Sequence, residues 1–205
     1  MYALAQAAGA GCEEAIVVVG NGGRMVEEFI RSADLPLAVA VVVNPDYHLP
    51  NGMSLLAAEK HVDGAFFLQM ADHLFGSPVL NRLAGRRGET GSHLLLVDRQ
   101  PIYSDEEDAT KVGLDGRSIT AIGKDLATWD AVDTGCFLLD ERVFEAMRSV
   151  GNPGETSVSA GMQRLIGEGT LEAVVLDRVP WVDVDTVVDR EEAERLFGSG
   201  GPYSG

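Results

Sequence analysis

The sequence has few of the residues that would attach it to a polymer, a membrane or an oxidising compartment. Lysine occurs only three times, and 16 basic residues stand against 32 acidic ones, giving a formal charge of −16. Such a surface repels nucleic acid and anionic membranes. No apolar run approaches the roughly 20 residues of a membrane-spanning helix, so membrane insertion is not expected. The two cysteines, Cys12 and Cys136, lie far apart, which argues against a disulfide framework and favours a reducing cytoplasm.

The common catalytic and metal-binding motifs are also missing. The four histidines form no pair at helical spacing, and no Ser-His-Asp or Cys-His arrangement stands out. The glycine-rich turn at residues 20–23 resembles a dinucleotide fingerprint, but Met25 stands where a third glycine would be needed. Chemistry is therefore expected from carboxylates, and an anionic small substrate would need a local cation or a metal ion.

The pattern of apolar segments predicts an α/β fold. A chain of 205 residues predicts one domain, which we place at residues 1–197, followed by a flexible tail at residues 198–205. In the first half, strand and helix patterns alternate, which predicts parallel strands joined by right-handed crossovers. The second half adds an antiparallel hairpin signal at residues 115–116. Together they predict a three-layer fold with a mixed, mainly parallel sheet.

Two aspartates are the leading candidates for a metal site. The strand predicted at residues 65–70 is apolar on both faces and is followed by Asp72. In open α/β sheets, ligands bind outside the carboxyl ends of the strands. Asp185 follows another extended segment, and two distant carboxylates that converge there would suit Mg²⁺ bridging phosphate oxygens. The structural alternatives are loop capping by Asp72, and capping of the last helix through Asp183, Asp185 or Thr186.

A lysine and a histidine could support this pair. Lys124 directly follows a predicted hairpin strand, from which its amine could reach a substrate phosphate as a point charge. The alternative is a surface lysine paired with Asp125. His73 could orient Asp72 or a substrate, or could simply belong to a capped loop.

Two further polar segments could bind the substrates. The first stands at a helix start, where side chains and free N–H groups could contact a nucleobase or an anion, or could only cap the helix. The second begins a strand, where glycine permits close approach of a ligand and the aspartate could accept hydrogen bonds from hydroxyls, unless it is an ordinary turn. The residues are Asn51, Gly52 and Ser54 in the first segment, and Asp133, Thr134 and Gly135 in the second.

Taken in order, six segments of the chain resemble the nucleotidyltransferases that activate sugar and polyol phosphates, and most of all their inositol-1-phosphate cytidylyltransferase branch. The likeness covers about residues 12–197 and is found at residues 44–54, 69–73, 105–112, 122–124, 133–137 and 181–186. It implies a Rossmann-like nucleotidyltransferase fold of the glycosyltransferase-A type. The implied reaction transfers a cytidylyl group from CTP to inositol 1-phosphate, giving CDP-inositol and pyrophosphate.

The resemblance also implies a role for each candidate residue. Asp72 and Asp185 would bind Mg²⁺, and Lys124 would bind the acceptor phosphate. The nucleotide would lie against Asn51, Gly52 and Ser54, and the polyol against Asp133, Thr134 and Gly135.

The start of the chain departs from the family pattern. The family opens with a strand, a glycine-rich phosphate loop and a lysine, and this chain begins at the helix that would follow them. We therefore expect a fold without its first strand, in which the strands near residues 15–19 and 65–70 either pair directly or leave a gap, and we expect an N-terminal truncation with poor activity. The alternatives are a non-catalytic nucleotide- or sugar-phosphate-binding module, and a nucleotidyltransferase for another sugar phosphate or phosphocholine.

Overall fold

The computed structural model describes residues 1–86, 92–101 and 108–198. The strands are β1 (Glu14–Val19), β2 (Ala38–Val43), β3 (Phe66–Gln69), β4 (His73–Phe75), β5 (His93–Asp98), β6 (Lys111–Asp115), β7 (Ser118–Gly123), β8 (Ala131–Leu139), β9 (Leu171–Leu176) and β10 (Trp181–Asp183). The helices are α1 (Tyr2–Gly9), α2 (Gly23–Ser32), α3 (Gly52–Ala58), α4 (Leu80–Ala84), α5 (Arg142–Arg148), α6 (Val158–Gly167) and α7 (Val187–Phe197). Residues 199–205 of the predicted tail lie outside the described residues, as do residues 105–107 of the segment at residues 105–112.

The central sheet is mixed, as predicted, but less parallel than the alternation of strands and helices suggests. Its six strands have the order β3-β8-β5-β9-β7-β6, and within it only β5 and β9 are parallel. The reason is the long apolar strand β8, which lies between β3 and β5 and is antiparallel to both. The expected parallel pairing of β3 with its sequence neighbours is thereby replaced by pairing with a strand from the second half of the chain.

Strands β1 and β2 form a separate parallel pair. Among the described residues, β1 has no ladder with β3, so the sheet is divided between them. Of the two arrangements expected from the sequence, direct pairing or a gap, the structure has the gap.

The core lies in two parts on opposite faces of the six-stranded sheet. All six residues of β5 are buried, because its side chains alternate between the two parts: Leu95 and Val97 on one face, Leu94 and Leu96 on the other. Helices α3, α5 and α6 cover the first face, and α4 covers the second. Each buried leucine stabilises the folded state by about 1.5–3 kcal/mol relative to an exposed one. Because both faces of the sheet are covered in this way, the fold has three layers. None of the helices in the described ranges has the length and apolar character that a bilayer crossing requires.

A buried histidine pairs with a half-buried aspartate at one end of the sheet. His93 begins β5 and is 1% exposed, and its Nε2 lies 3.1 Å from Oδ1 of Asp140, which directly follows β8. Burial lowers the pKa of His93 below its ordinary value, although the charge of Asp140 opposes this in part. The folded protein therefore favours the neutral imidazole.

This burial makes stability depend on pH. Below about pH 6.5 the unfolded chain binds a proton at His93 that the folded chain resists, so His93 lowers the free energy of unfolding as the pH falls through that value. We expect the wild type to lose more stability between pH 7.5 and pH 5.5 than His93→Gln does, as measured by urea unfolding followed by tryptophan fluorescence. His61→Gln, at an exposed histidine, should behave as the wild type does. Equal pH slopes for wild type and His93→Gln would contradict this account.

Candidate functional site

A pocket of about 520 Å³ gathers most of the residues singled out from the sequence. Six aspartates line it, and Lys124 is the one lysine or arginine among the described lining residues. The six are Asp72, Asp108, Asp133, Asp183, Asp185 and Asp189. The pocket is therefore strongly anionic and cannot hold a phosphate without added positive charge.

A two-stranded ladder brings the distant acids together. Strands β4 and β10 are antiparallel, with His73 opposite Asp183, and the backbone N–H of Val184 donates to the carbonyl of Asp72 at 3.1 Å. The ladder thus fixes residues more than 100 positions apart in sequence at one edge of the pocket.

Asp72, His73 and Asp183 form an acid–imidazole cluster in which one ligating atom from each lies within 4.8 Å of the others. The Nε2 atom of His73 lies 3.5 Å from Oδ2 of Asp183 and 3.8 Å from Oδ1 of Asp72, and its Nδ1 lies 2.7 Å from the carbonyl oxygen of Thr134. Burial by itself lowers the pKa of His73, but the hydrogen bond and charge of Asp183, the Thr134 carbonyl and the charge of Asp72 outweigh it and raise the pKa to about 9.

Asp185 lies beside this cluster. It lines the same pocket, and its pKa is raised first by the charge of Asp183, then by burial and by the charge of Asp72. The helix-capping alternative belongs to Thr186, which forms a capping box with Asp189 at the start of α7. The side chains of Asp183 and Asp185 therefore remain available to the pocket.

Sequence reasoning missed the support behind His73. The indole of Trp181 stacks on the imidazole with ring centroids 5.4 Å apart, and its Nε1 donates to Oδ2 of the buried Asp98 at 2.9 Å. Asp98 ends an apolar strand just before a loop, which is the same signal that singled out Asp72. The position of Asp98 at the end of an apolar strand could therefore have identified it from the sequence.

Lys124 follows β7 and reaches the pocket, and its partner is not the Asp125 of the alternative interpretation. Its Nζ lies 2.5 Å from Oδ1 of Asp108, and both side chains are more than half exposed. Lys111 donates from its Nζ to the carbonyl of Lys124 at 2.8 Å, which steadies the segment that carries the amine.

In the segment at the start of β8, two residues line the pocket and one is buried. Asp133 and Gly135 line the pocket, whereas Thr134 is fully buried and its hydroxyl donates to the carbonyl of Leu96. Gly135 has φ 71°, and a Cβ there would lie 2.7 Å from Nδ1 of His73, so only glycine fits. Burial raises the pKa of Asp133 to about 6, while the N–H of Gly135 and the charge of His73 oppose the shift.

In the segment at the start of α3, one residue lines the pocket and two do not. Asn51 lines the pocket and its Oδ1 accepts from the N–H of Val158, at the start of α6. Gly52 is buried, and a Cβ there would lie 2.3 Å from the carbonyl oxygen of Thr156, so it serves the packing of the helices. Ser54 accepts from the amide of Asn44 at 3.0 Å. Neither Gly52 nor Ser54 is among the residues that line this pocket.

Comparison with known proteins finds relatives over most of the chain. No protein-family model matches it. It is 34% identical to the bifunctional IPC transferase and DIPP synthase of Rubrobacter xylanophilus, over 93% of this chain and 44% of the relative. The protein of the same name from Archaeoglobus fulgidus is 34% identical over 91% of this chain and 36% of the relative. The chain thus spans less than half the length of these relatives.

The solved structures agree with this likeness. The inositol-1-phosphate CTP transferase from T. maritima superposes with a TM-score of 0.82 at 25% identity, covering 95% of this chain and 80% of that one. The predicted Rossmann-like nucleotidyltransferase fold is confirmed. With the fold, the order of the motifs and the curated relatives in agreement, the chain belongs to the nucleotidyltransferase family.

Proposed function

We propose that the chain is a cytidylyltransferase that moves the cytidylyl group of CTP to inositol 1-phosphate. The names of its relatives and of its structural neighbour support this choice of substrates. The observation that carries the proposal is the pocket itself, in which distant carboxylates and the amine of Lys124 line one cavity. Two free cysteines fit activity in a reducing cytoplasm.

The reaction requires two anions to meet. A phosphate oxygen of inositol 1-phosphate attacks the α-phosphorus of CTP, the bond between that phosphorus and the bridging oxygen breaks, and pyrophosphate leaves. Catalysis of this kind consists mainly of alignment and charge neutralisation. The surplus of carboxylates opposes both substrates, so the positive charge must come from a few groups.

The donor set of the pocket fits a divalent cation, which we propose to be Mg²⁺. Asp72 and Asp185 would hold it, and bound there it would supply positive charge between the two phosphates. Asp183 strengthens the fit, because its Oδ1 is buried and has no hydrogen-bond partner among the described residues. An acceptor atom without a donor suits a site that receives a cation.

The remaining residues would bind and orient the substrates. Lys124 would exchange Asp108 for the acceptor phosphate, at small cost because an exposed ion pair contributes only about 0–1 kcal/mol. Asp133 would accept hydrogen bonds from polyol hydroxyls, and Gly135 leaves its backbone open to them. Asn51 would use its amide N–H group on the nucleotide, since its Oδ1 is already engaged.

The two metal-binding aspartates provide the first test. With Mg²⁺ and CTP, we expect pyrophosphate release to require inositol 1-phosphate, and Asp72→Asn and Asp185→Asn each to lower kcat/KM by roughly 100-fold, because an amide attracts the cation less. Asp115→Asn, at an exposed hairpin aspartate, is the matched control. Full activity in both pocket variants would remove the metal assignment. Turnover with glucose 1-phosphate or phosphocholine instead would remove the acceptor assignment.

Lys124 provides the second test. We expect Lys124→Ala to raise the KM for inositol 1-phosphate by about tenfold or more while the KM for CTP changes little, because the lost ammonium contacts only the acceptor phosphate. Lys60→Ala, at an exposed lysine, controls for the loss of a surface charge. A rise confined to the KM for CTP would show that Lys124 belongs to the nucleotide instead.

A further inference from the structure

We propose that Nε2 of His73 and one carboxylate oxygen each of Asp72 and Asp183 form a three-ligand site that prefers a first-row transition metal such as Mn²⁺ to Mg²⁺. The inference rests on the proposed function for the identity of the pocket. It goes further by naming a nitrogen ligand, and by adding Asp183 to the carboxylates, Asp72 and Asp185, that would hold the ion.

The separations within the acid–imidazole cluster suit one ion. Metal–nitrogen and metal–oxygen bonds of about 2.0–2.2 Å place two ligands of the same ion about 3–4 Å apart. Nε2 of His73 lies 3.5 Å from Oδ2 of Asp183 and 3.8 Å from Oδ1 of Asp72. Ligand atoms of all three residues lie within 4.8 Å of one another, so an ion can reach them with small side-chain movements.

The imidazole is oriented as a metal ligand requires. Its Nδ1 lies 2.7 Å from the carbonyl oxygen of Thr134, so this nitrogen carries the proton and donates. Histidines that bind metals usually donate their other N–H to a carbonyl or carboxylate in this way. The arrangement turns Nε2 towards the two carboxylates.

The ring is also held firmly in that orientation. Trp181 stacks on one side of it, and Trp181 is itself tied to the buried Asp98 by its indole N–H. Gly135 lies so close to the ring that a Cβ would contact Nδ1 at 2.7 Å. A ligand locked by packing needs no reordering when an ion arrives.

A separate observation concerns the carboxylate of Asp183. Oδ1 of Asp183 is buried and lacks a hydrogen-bond partner within the described part of the chain. Buried polar atoms nearly always have a partner. The free lone pairs of this oxygen would therefore suit a cation bound by Asp183. Its other oxygen, Oδ2, faces His73.

The mixed ligand set determines which metals bind well. Mg²⁺ prefers oxygen ligands and keeps several waters, whereas Mn²⁺ and later first-row ions also accept imidazole nitrogen. The competing role for His73 is a cation that neutralises the two aspartates without binding a metal. The two roles have opposite consequences when the ring is removed.

Calorimetric titration of the whole chain with MnCl2 and with MgCl2, without nucleotide, separates these roles. If His73 is a ligand, His73→Gln lowers the Mn²⁺ affinity at least tenfold and changes the Mg²⁺ affinity less than threefold. If it is only a counter-charge, both affinities rise, and the proposal is wrong. An equal loss for both metals also overturns it, because the ring would then only support the fold. His61→Gln should leave both affinities unchanged.

Pulsed electron paramagnetic resonance of Mn²⁺ bound to the wild type gives a test that needs no variant to fold. We expect hyperfine coupling to a directly bound ¹⁴N nucleus, and its absence would overturn the proposal. Since neither measurement contains CTP or inositol 1-phosphate, the metal site can be established even where the transferase assay fails. An active transferase without nitrogen coupling would conversely reject this site alone.

Discussion

The site depends on one short antiparallel ladder of three residue pairs, between β4 and β10. It sets His73 opposite Asp183 and hydrogen-bonds the segment after Asp183 to the carbonyl of Asp72. A slip of one residue would turn alternate side chains to the other face and would separate the carboxylates. The buried indole of Trp181, fixed by Asp98, holds the register and the imidazole together. A few ordinary contacts thus decide the geometry of the acid–imidazole cluster at this edge of the pocket.

The negative charge of the chain determines where an anion can bind in this pocket. A chain with a formal charge of −16 repels nucleotides and phosphates over its surface, and the described pocket lining carries six aspartates. Among the described lining residues Lys124 is the one lysine or arginine, and the imidazole of His73 lies beside the carboxylates of Asp72 and Asp183. An anion in this pocket therefore meets favourable charge only at defined points, which is why we propose a metal ion there. The pocket thus offers an anionic ligand positive charge at specific places and no general attraction.

Much of the site could be predicted from local signals, and the rest depends on contacts distant in sequence. Asp72 was singled out because it comes soon after an apolar strand, and Lys124 because it comes just after a hairpin strand; both line the pocket. The place of β8 between β3 and β5 was not, since strand order depends on which partners are available in three dimensions. For the same reason, the sequence favoured Asp185 over Asp183, whose approach to His73 depends on register with β4. Gly52 looked like part of a binding loop, but its smallness serves helix packing.

Strand β8 also separates two tasks along its length. Asp133, at one end, lines the pocket, and Asp140, beyond the other, pairs with the buried His93. Because β8 bulges at Gly135, these ends are separated by about five residues of the neighbouring strand β5, roughly 17 Å. Changes at sites so distant usually add independently. Substitutions at the pair of His93 and Asp140 could therefore raise stability at acid pH without changing the pocket around Asp133.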